Sequence, residues 1–245
     1  EKEGARVFLI LAMLVGAVVP VQTVVNTRLR HSVGSPIGAS LVSFVVAVAV
    51  ASALAFVSTG ALIPNLSVPA GEPWWIWLGG FMGVVFIAGN IVLFPKLGAV
   101  QTVILPILGQ VIMGLVIDRL GLFRSPRVPV GALRLTGAAI VLLGIAMVLE
   151  IPRRRGPSGS ASGAGLWLLR GVGVLMGMGS AVQTAVNGRL GSALGSPVQA
   201  SQISLAVGVL VLLVLALAAP GPRRALAGGI APGPWWMWLG GVLGA

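Results

Sequence analysis

Gln22 and Asn26 stand four residues apart in an apolar stretch, and the same pair returns 161 residues later as Gln183 and Asn187. At helical spacing each pair shares one face, and a carboxamide presents two donors and an acceptor without carrying charge. One reading makes the two faces hydrogen-bonding walls around a substrate site between two halves of the chain. The other makes them glue between neighbouring helices, worth about 0.6 kcal/mol per bond in a membrane. Repetition on two helices favours the first reading for the set. Asn90 and Gln110, amides inside other apolar runs, complete the candidate substrate-binding residues; Gln101 is similar. Gln199 and Gln202 add two more, but Gly38 and Leu41 stand at the equivalent positions, so they would tune a site asymmetrically.

Other chemistry is excluded by what is missing. The chain has no Cys and one His, His31, so it lacks a thiolate nucleophile, a disulfide framework and the makings of a metal site. No catalytic residues, metal or cofactor are expected. The five acids, Glu1, Glu3, Glu72, Asp118 and Glu150, fall at chain ends, loops or helix termini. The mid-membrane carboxylate on which many proton-coupled pumps depend is therefore not seen in any apolar run. Arg28 and Arg189 follow the repeated Asn by two residues, where they read as interfacial snorkelling groups or stop signals, or alternatively as an anion-attracting gate.

The elements that must position these side chains are membrane spans. At 57% hydrophobic and 9% charged, with a mean hydropathy of +1.04, the chain has too few charges to cover a soluble globule. Its net charge of +11 lies in the gaps between apolar runs rather than in one aromatic-studded patch. That pattern argues for topology signals and anionic lipid headgroups, and against nucleic acid. Runs of about 20 apolar residues predict helices. They cover Val7 to Asn26, Pro36 to Val57, Trp74 to Phe94, Gly98 to Ile117 and Val130 to Leu149 in a first copy, with Pro95-Lys96 as a connecting loop. A second copy gives Leu166 to Asn187, Pro197 to Ala219 and a span opening at Trp235. Lys2 and Arg6 ahead of the first run resemble a signal peptide, but its repeat lies mid-chain and no small-x-small site follows, so it reads as a mature helix.

The duplication is in strict register. Gln22 to Leu29 and Gln183 to Leu190 agree at six of eight positions; Gly34-Ser35-Pro36 returns as Gly195-Ser196-Pro197, and Pro73 to Gly80 as Pro234 to Gly241. The boundaries are 1–151 for the first five-helix repeat, 152–165 for a polar Arg/Gly/Ser linker, and 166–245 for an incomplete second repeat. A full second copy would end at about position 310, so the chain reads as a fragment with about seven to eight spans visible. An odd number of spans per copy predicts that the second enters the membrane inverted. Seven Lys and Arg on the N-terminal face against nine on the other leave the orientation open.

The remaining repeated residues read as architecture. Ser40, Ser43, Ser201 and Ser204, with Gly79, Gly83, Gly240 and Gly244, are small residues that let helices approach closely. Trp74, Trp75 and Trp77, repeated as Trp235, Trp236 and Trp238, read as an aromatic belt. Pro20 and Pro106 should bend their helices or free a carbonyl.

Q-T-x-V-N-x-R-L after a Gly-rich first helix, G-S-P opening the second and P-W-W-x-W-L-G-G opening the third resemble the drug/metabolite transporter (EamA-like) superfamily, specifically its YdcZ-like branch in a fused two-repeat form. The resemblance implies an all-α bundle of ten helices, a central cavity lined by the first four helices of each half, and residence as a multi-pass protein in a bacterial inner membrane. It implies alternating-access transport of a small molecule. The membrane-embedded Glu of the related small multidrug exporters has no counterpart between Val7 and Asn26. The expectation is therefore a non-enzymatic secondary transporter, with a passive channel or a non-transporting assembly protein as alternatives. Its partners would be a small-molecule substrate, the lipid bilayer and, as an open option, a second copy.

Overall fold

The computed structural model describes residues 2–129, 131–150 and 164–245, so nearly all of the expected linker lies outside the described residues. Its long helices are α1 (Lys2–Val33), α2 (Pro36–Thr59), α4 (Leu78–Leu120), α5 (Ala132–Glu150), α6 (Ala164–Leu194) and α7 (Pro197–Ala218). Short helices are α3 (Ser67–Ala70), α8 (Pro220–Ala227) and α9 (Leu239–Val242), with 3₁₀ turns at Trp74–Trp77, Leu122–Arg124 and Trp235–Trp238. No strand occurs among the described residues. Pro36–Thr59, Trp74–Leu120, Gly165–Leu194 and Pro197–Ala218 are long and apolar enough to cross a membrane.

The repeated G-S-P segments are helix-starting devices. Gly34 and Gly195 turn the chain at φ 75° and 67°, a region that favours glycine. Ser35 and Ser196 then cap α2 and α7, their hydroxyls accepting from the amides of Gly38 and Gln199 at 3.3 Å, and Pro36 and Pro197 fill the first helical positions.

The third and fourth expected spans are the two arms of α4, but the chain does not turn at Pro95-Lys96. Both residues continue the first arm, and the reversal falls at Gly98, with φ 77° and ψ 172°. Proline's fixed φ suits a helix; what it removes is the amide that would bond the carbonyl four residues back. That carbonyl belongs to Ile91, and Arg30 Nη1 donates to it at 3.0 Å. The reversal itself is read from contacts along α6. In the first arm Gly79, Gly83 and Gly89 lie against Asn187, Gln183 and Met176, a descending order. In the second arm Gln101, Pro106 and Gln110 meet Arg170, Gly177 and Ser180, an ascending order. The arms therefore run in opposite directions, both packed on α6.

Glycine makes these crossings tight. Any side chain at Gly109 or Gly177 would overlap the backbone carbonyl of Val174 or Pro106, so α6 and the second arm touch backbone to backbone. The fifth expected span is α5, although Val130 lies outside the described residues. It sits at the edge of the bundle, with Leu133, Ile140, Leu143 and Met147 facing outward. An outward apolar face suits a helix whose solvent is hydrocarbon.

Helices α2 and α7, equivalent in sequence, pack against each other head to tail. Gln199 Nε2 donates to Thr59 Oγ1 at 3.1 Å, Gln202 Nε2 donates to Ser52 Oγ at 2.9 Å and to the Leu62 carbonyl at 2.7 Å, and the Phe44 ring covers Gly208. The start of α7 thus meets the end of α2. The turns divide between two ends of the bundle. One, termed here the proximal face, carries the segment from Gly60 to Trp77, the segment after Gly121 and the α6–α7 turn. The distal face carries the α1–α2 turn, the Gly98 reversal, the start of α6, and α8.

Candidate functional site

The four repeated amides lie at two seams, built alike. In one, Gly79 and Gly80 of the first copy wedge between α6 and α7: Gly79 sits on the Asn187 side chain and Gly80 on the Ser204 carbonyl. In the other, Gly240 and Gly241 of the second copy wedge between α1 and α2, on the Asn26 side chain and the Ser43 carbonyl. Gln183 then meets Gly83, and Gln22 meets Gly244 while donating from Nε2 to the Gly240 carbonyl at 3.3 Å. Each copy's third helix is gripped by the first two helices of the other copy. Of the residues that precede these glycines, Trp74 and Trp235 turn outward, both 75% exposed, Trp75 packs edge-on against Phe123, and Ile76 and Met237 are buried.

The Oδ1 atoms of Asn26 and Asn187 are buried without a hydrogen-bond partner, and both face a glycine Cα. A carbonyl oxygen against Cα–H is a weak hydrogen bond, enough to bias a crossing geometry but not to repay full desolvation.

Two cavities lie beside these helices. The smaller, about 10 Å³, is enclosed by Gln22, Thr23, Asn26, Phe86, Ile87, Asn90 and Ile91, between α1 and the first arm of α4. That is room for one water molecule. Asn90, only 4% exposed, also has an unpartnered Oδ1, so the cavity gathers three of the six predicted amides and one orphaned acceptor besides Asn26. The larger, about 450 Å³, lies between the second arm of α4 and α6. Its wall includes Gln110, Ser180, Thr184 and Ala181, and it reaches the proximal face at Asp118, Ser125 and Pro126. Gln110 Nε2 donates to Ser180 Oγ at 3.1 Å across it. A volume of this size suits a small molecule.

The six predicted residues are thus dispersed. Gln110 lines the larger cavity; Gln22, Asn26 and Asn90 line the smaller; Gln183 and Asn187 line neither and pack in the seam. Gln199 and Gln202 bond to α2 and its following turn, and line neither cavity. Sequence reasoning passed over Ser180, an isolated hydroxyl opposite Val19 in the first copy, and Thr184, which the repeated Q-T-x-V-N motif does contain; both lie on the α6 face that also bears Ala181 and Ala185.

Sequence reasoning also treated Glu72 as a loop residue, and among the described residues it is the acid with the most ion-pair partners. Arg189 donates to it through two nitrogens, Nε to Oε2 at 3.2 Å and Nη2 to Oε1, and Arg124 Nη1 donates to Oε2 at 2.9 Å. The hydrogen bond from Arg189 holds the Glu72 carboxyl below its usual range, against the opposing effect of burial. Asp118 pairs with Arg134.

A family model described as "Putative inner membrane exporter, YdcZ", within the drug/metabolite transporter class, matches residues 7–147 and 168–245. The chain belongs to the YdcZ family. It is therefore a multi-pass inner-membrane protein of a transporter-type family. No curated protein and no solved structure matches it. In the P-W-W-x-W-L-G-G segment and its repeat, a 3₁₀ turn sets the first tryptophan outward and the two glycines in the seam.

Proposed function

We propose that this YdcZ-family chain is a secondary transporter that moves a small molecule by alternating access between two inverted repeats. The observation that carries the reading is the exchanged, antiparallel packing of equivalent elements: α2 on α7, and Gly79 and Gly240 on Asn187 and Asn26. Two copies inserted upside down relative to each other would pack in this way, and rocking about two equivalent seams would open one face while closing the other. The larger cavity is then part of the path, with Gln110, Ser180 and Thr184 in contact with substrate. Gln183 and Asn187 act at the seam that must shift, and Gln22, Asn26 and Asn90 act at the other seam and its small polar cavity. The family description supports export as the direction.

The chain has no Cys, so a single Ala181→Cys substitution gives a unique reporter on the cavity wall. In proteoliposomes, membrane-impermeant maleimides applied from either side should each label it, with a conformational trap favouring one side at the expense of the other. Simultaneous labelling from both sides that no condition makes exclusive, together with ohmic flux, would establish a channel instead.

A further inference from the structure

We propose that Arg124 and Arg189 form an anion-binding site on the rim of the larger cavity, and that Glu72 occupies it as a tethered stand-in for the carboxylate or phosphate of the transported molecule. The inference rests on the transporter reading and deepens it by naming a substrate class. Its first support is geometric. Two guanidinium groups converge on one carboxylate, Arg189 in the forked arrangement suited to carboxylate and phosphate alike. Neither lines the cavity itself, but each adjoins one of its walls: Arg124 directly precedes the rim residues Ser125 and Pro126, and Arg189 lies one turn beyond Thr184 and Ala185 on α6. A ligand bridging them would span both repeats.

The second support is an asymmetry within an otherwise repeated structure. Arg189 is the repeat of Arg28, but the position equivalent to Glu72 is Gly233, and Arg28 has no ion pair among the described residues. The repeated motif therefore folds around this arginine without a carboxylate, so Glu72 has a use other than holding the motif together. The third support is the charge of the rim. Around the rim, the segments 60–77, 118–134 and 189–196 carry Arg119, Arg124, Arg127, Arg134 and Arg189 against Glu72 and Asp118, a net +3 with Glu72 counted and +4 without it. An arriving anion exchanges with Glu72 at constant charge, whereas a cation would meet net repulsion. Protonation of Glu72 is the less accessible route to release, because Arg189 stabilises the ionised form.

The test uses the full chain carrying Ala181→Cys, in vesicles, with acetate and inorganic phosphate as probes against maleimide labelling. With Glu72→Gln, either anion should protect Cys labelling at a concentration about tenfold lower than in the Glu72 protein, since a tethered competitor has been removed. Adding Arg189→Gln should abolish protection. Glu72→Asp, one methylene shorter, should lie between and serves if Glu72→Gln does not fold. Protection identical in all variants, or a loss of thermal stability in Glu72→Gln without any change in protection, would overturn the site. Vesicles of phosphatidylcholine alone and with phosphatidylglycerol separate the sources: protection by anionic lipid but by neither soluble anion makes this a headgroup site and removes the substrate inference. Labelling of the cysteine from either face, made exclusive by a conformational trap but unaffected by either anion, leaves the transporter reading standing and this one refuted. Labelling from one face only, with anion protection retained, does the reverse.

Discussion

The two seams and the two arginines that follow them are drawn from the same duplicated sequence, yet they have diverged to different degrees. At the seams, Gly79 on Asn187 and Gly240 on Asn26 are alike in residue type, contact and orphaned acceptor. A few residues away, Arg189 is held by Glu72 while Arg28 has no ion pair among the described residues. Close packing between helices constrains both partners at once, so a change on one side must be matched on the other. A charge at the membrane surface is solvated whether paired or not, which leaves it free to differ between copies. The seams, alike in both copies, are thus the constrained part of the molecule, and the unequal ends are where one face acquires a property that the other lacks.

The comparison is most sharply tested at the glycines. Gly80→Val and Gly241→Val should each destabilise the protein by about 3 kcal/mol or more, because the new side chain meets the Ser204 or Ser43 carbonyl rather than a side chain that can move. Gly114→Val, with open space around it, should be nearly silent, and thermal melting in detergent reads all three. Equal losses at 80 and 241 sustain the equivalence of the seams; a large loss at only one ends it.

The arginines should separate where the seams do not. Arg189→Gln should lower the melting temperature and Arg28→Gln should not, since only the first strips a partner from a carboxylate. The sign with pH follows from the lowered Glu72 pKa. Its stabilising effect is present above the ordinary carboxylate pKa and disappears as pH falls through the depressed folded-state value. Acidification through and below the carboxylate range should therefore destabilise the unsubstituted protein more than Glu72→Gln, and parallel pH profiles would show that the pair contributes nothing.

The smallest effects belong to the seam amides. Asn26→Ala and Asn187→Ala remove acceptors that already lack a partner, so each should cost about 1 kcal/mol or less, and the two should agree within about 0.5 kcal/mol. If transport collapses in both while stability holds, the amides act in the moving step and not as glue.

Much of this was legible in the residues themselves. The apolar runs located the spanning helices, because a bilayer permits few alternatives to a helix of spanning length, but α1 and α6 run on to Val33 and Leu194, two turns past the expected ends at Asn26 and Asn187. The G-S-P and P-W-W-x-W-L-G-G repeats announced helix starts through caps and turns, which are local devices. The Pro95-Lys96 expectation failed for a non-local reason: proline is tolerated in the helix once Arg30 satisfies the freed Ile91 carbonyl, and that arginine is distant in sequence. The candidate amides were found by pattern, but their separation into a cavity wall, a small polar pocket and a seam was not.

The sequence by itself determined that the chain is a duplicated bundle of membrane helices with no thiol and no acid seen in the middle of an apolar run, since composition and periodicity are properties of the chain alone. Only the tertiary structure decided which copy grips which. That each third helix lies between the first two helices of the other copy, that Gly98 closes the α4 hairpin, and that Glu72 meets Arg189 across 117 residues all depend on contacts between segments remote in sequence. Such contacts are selected by the fit of whole surfaces, and no local pattern encodes them.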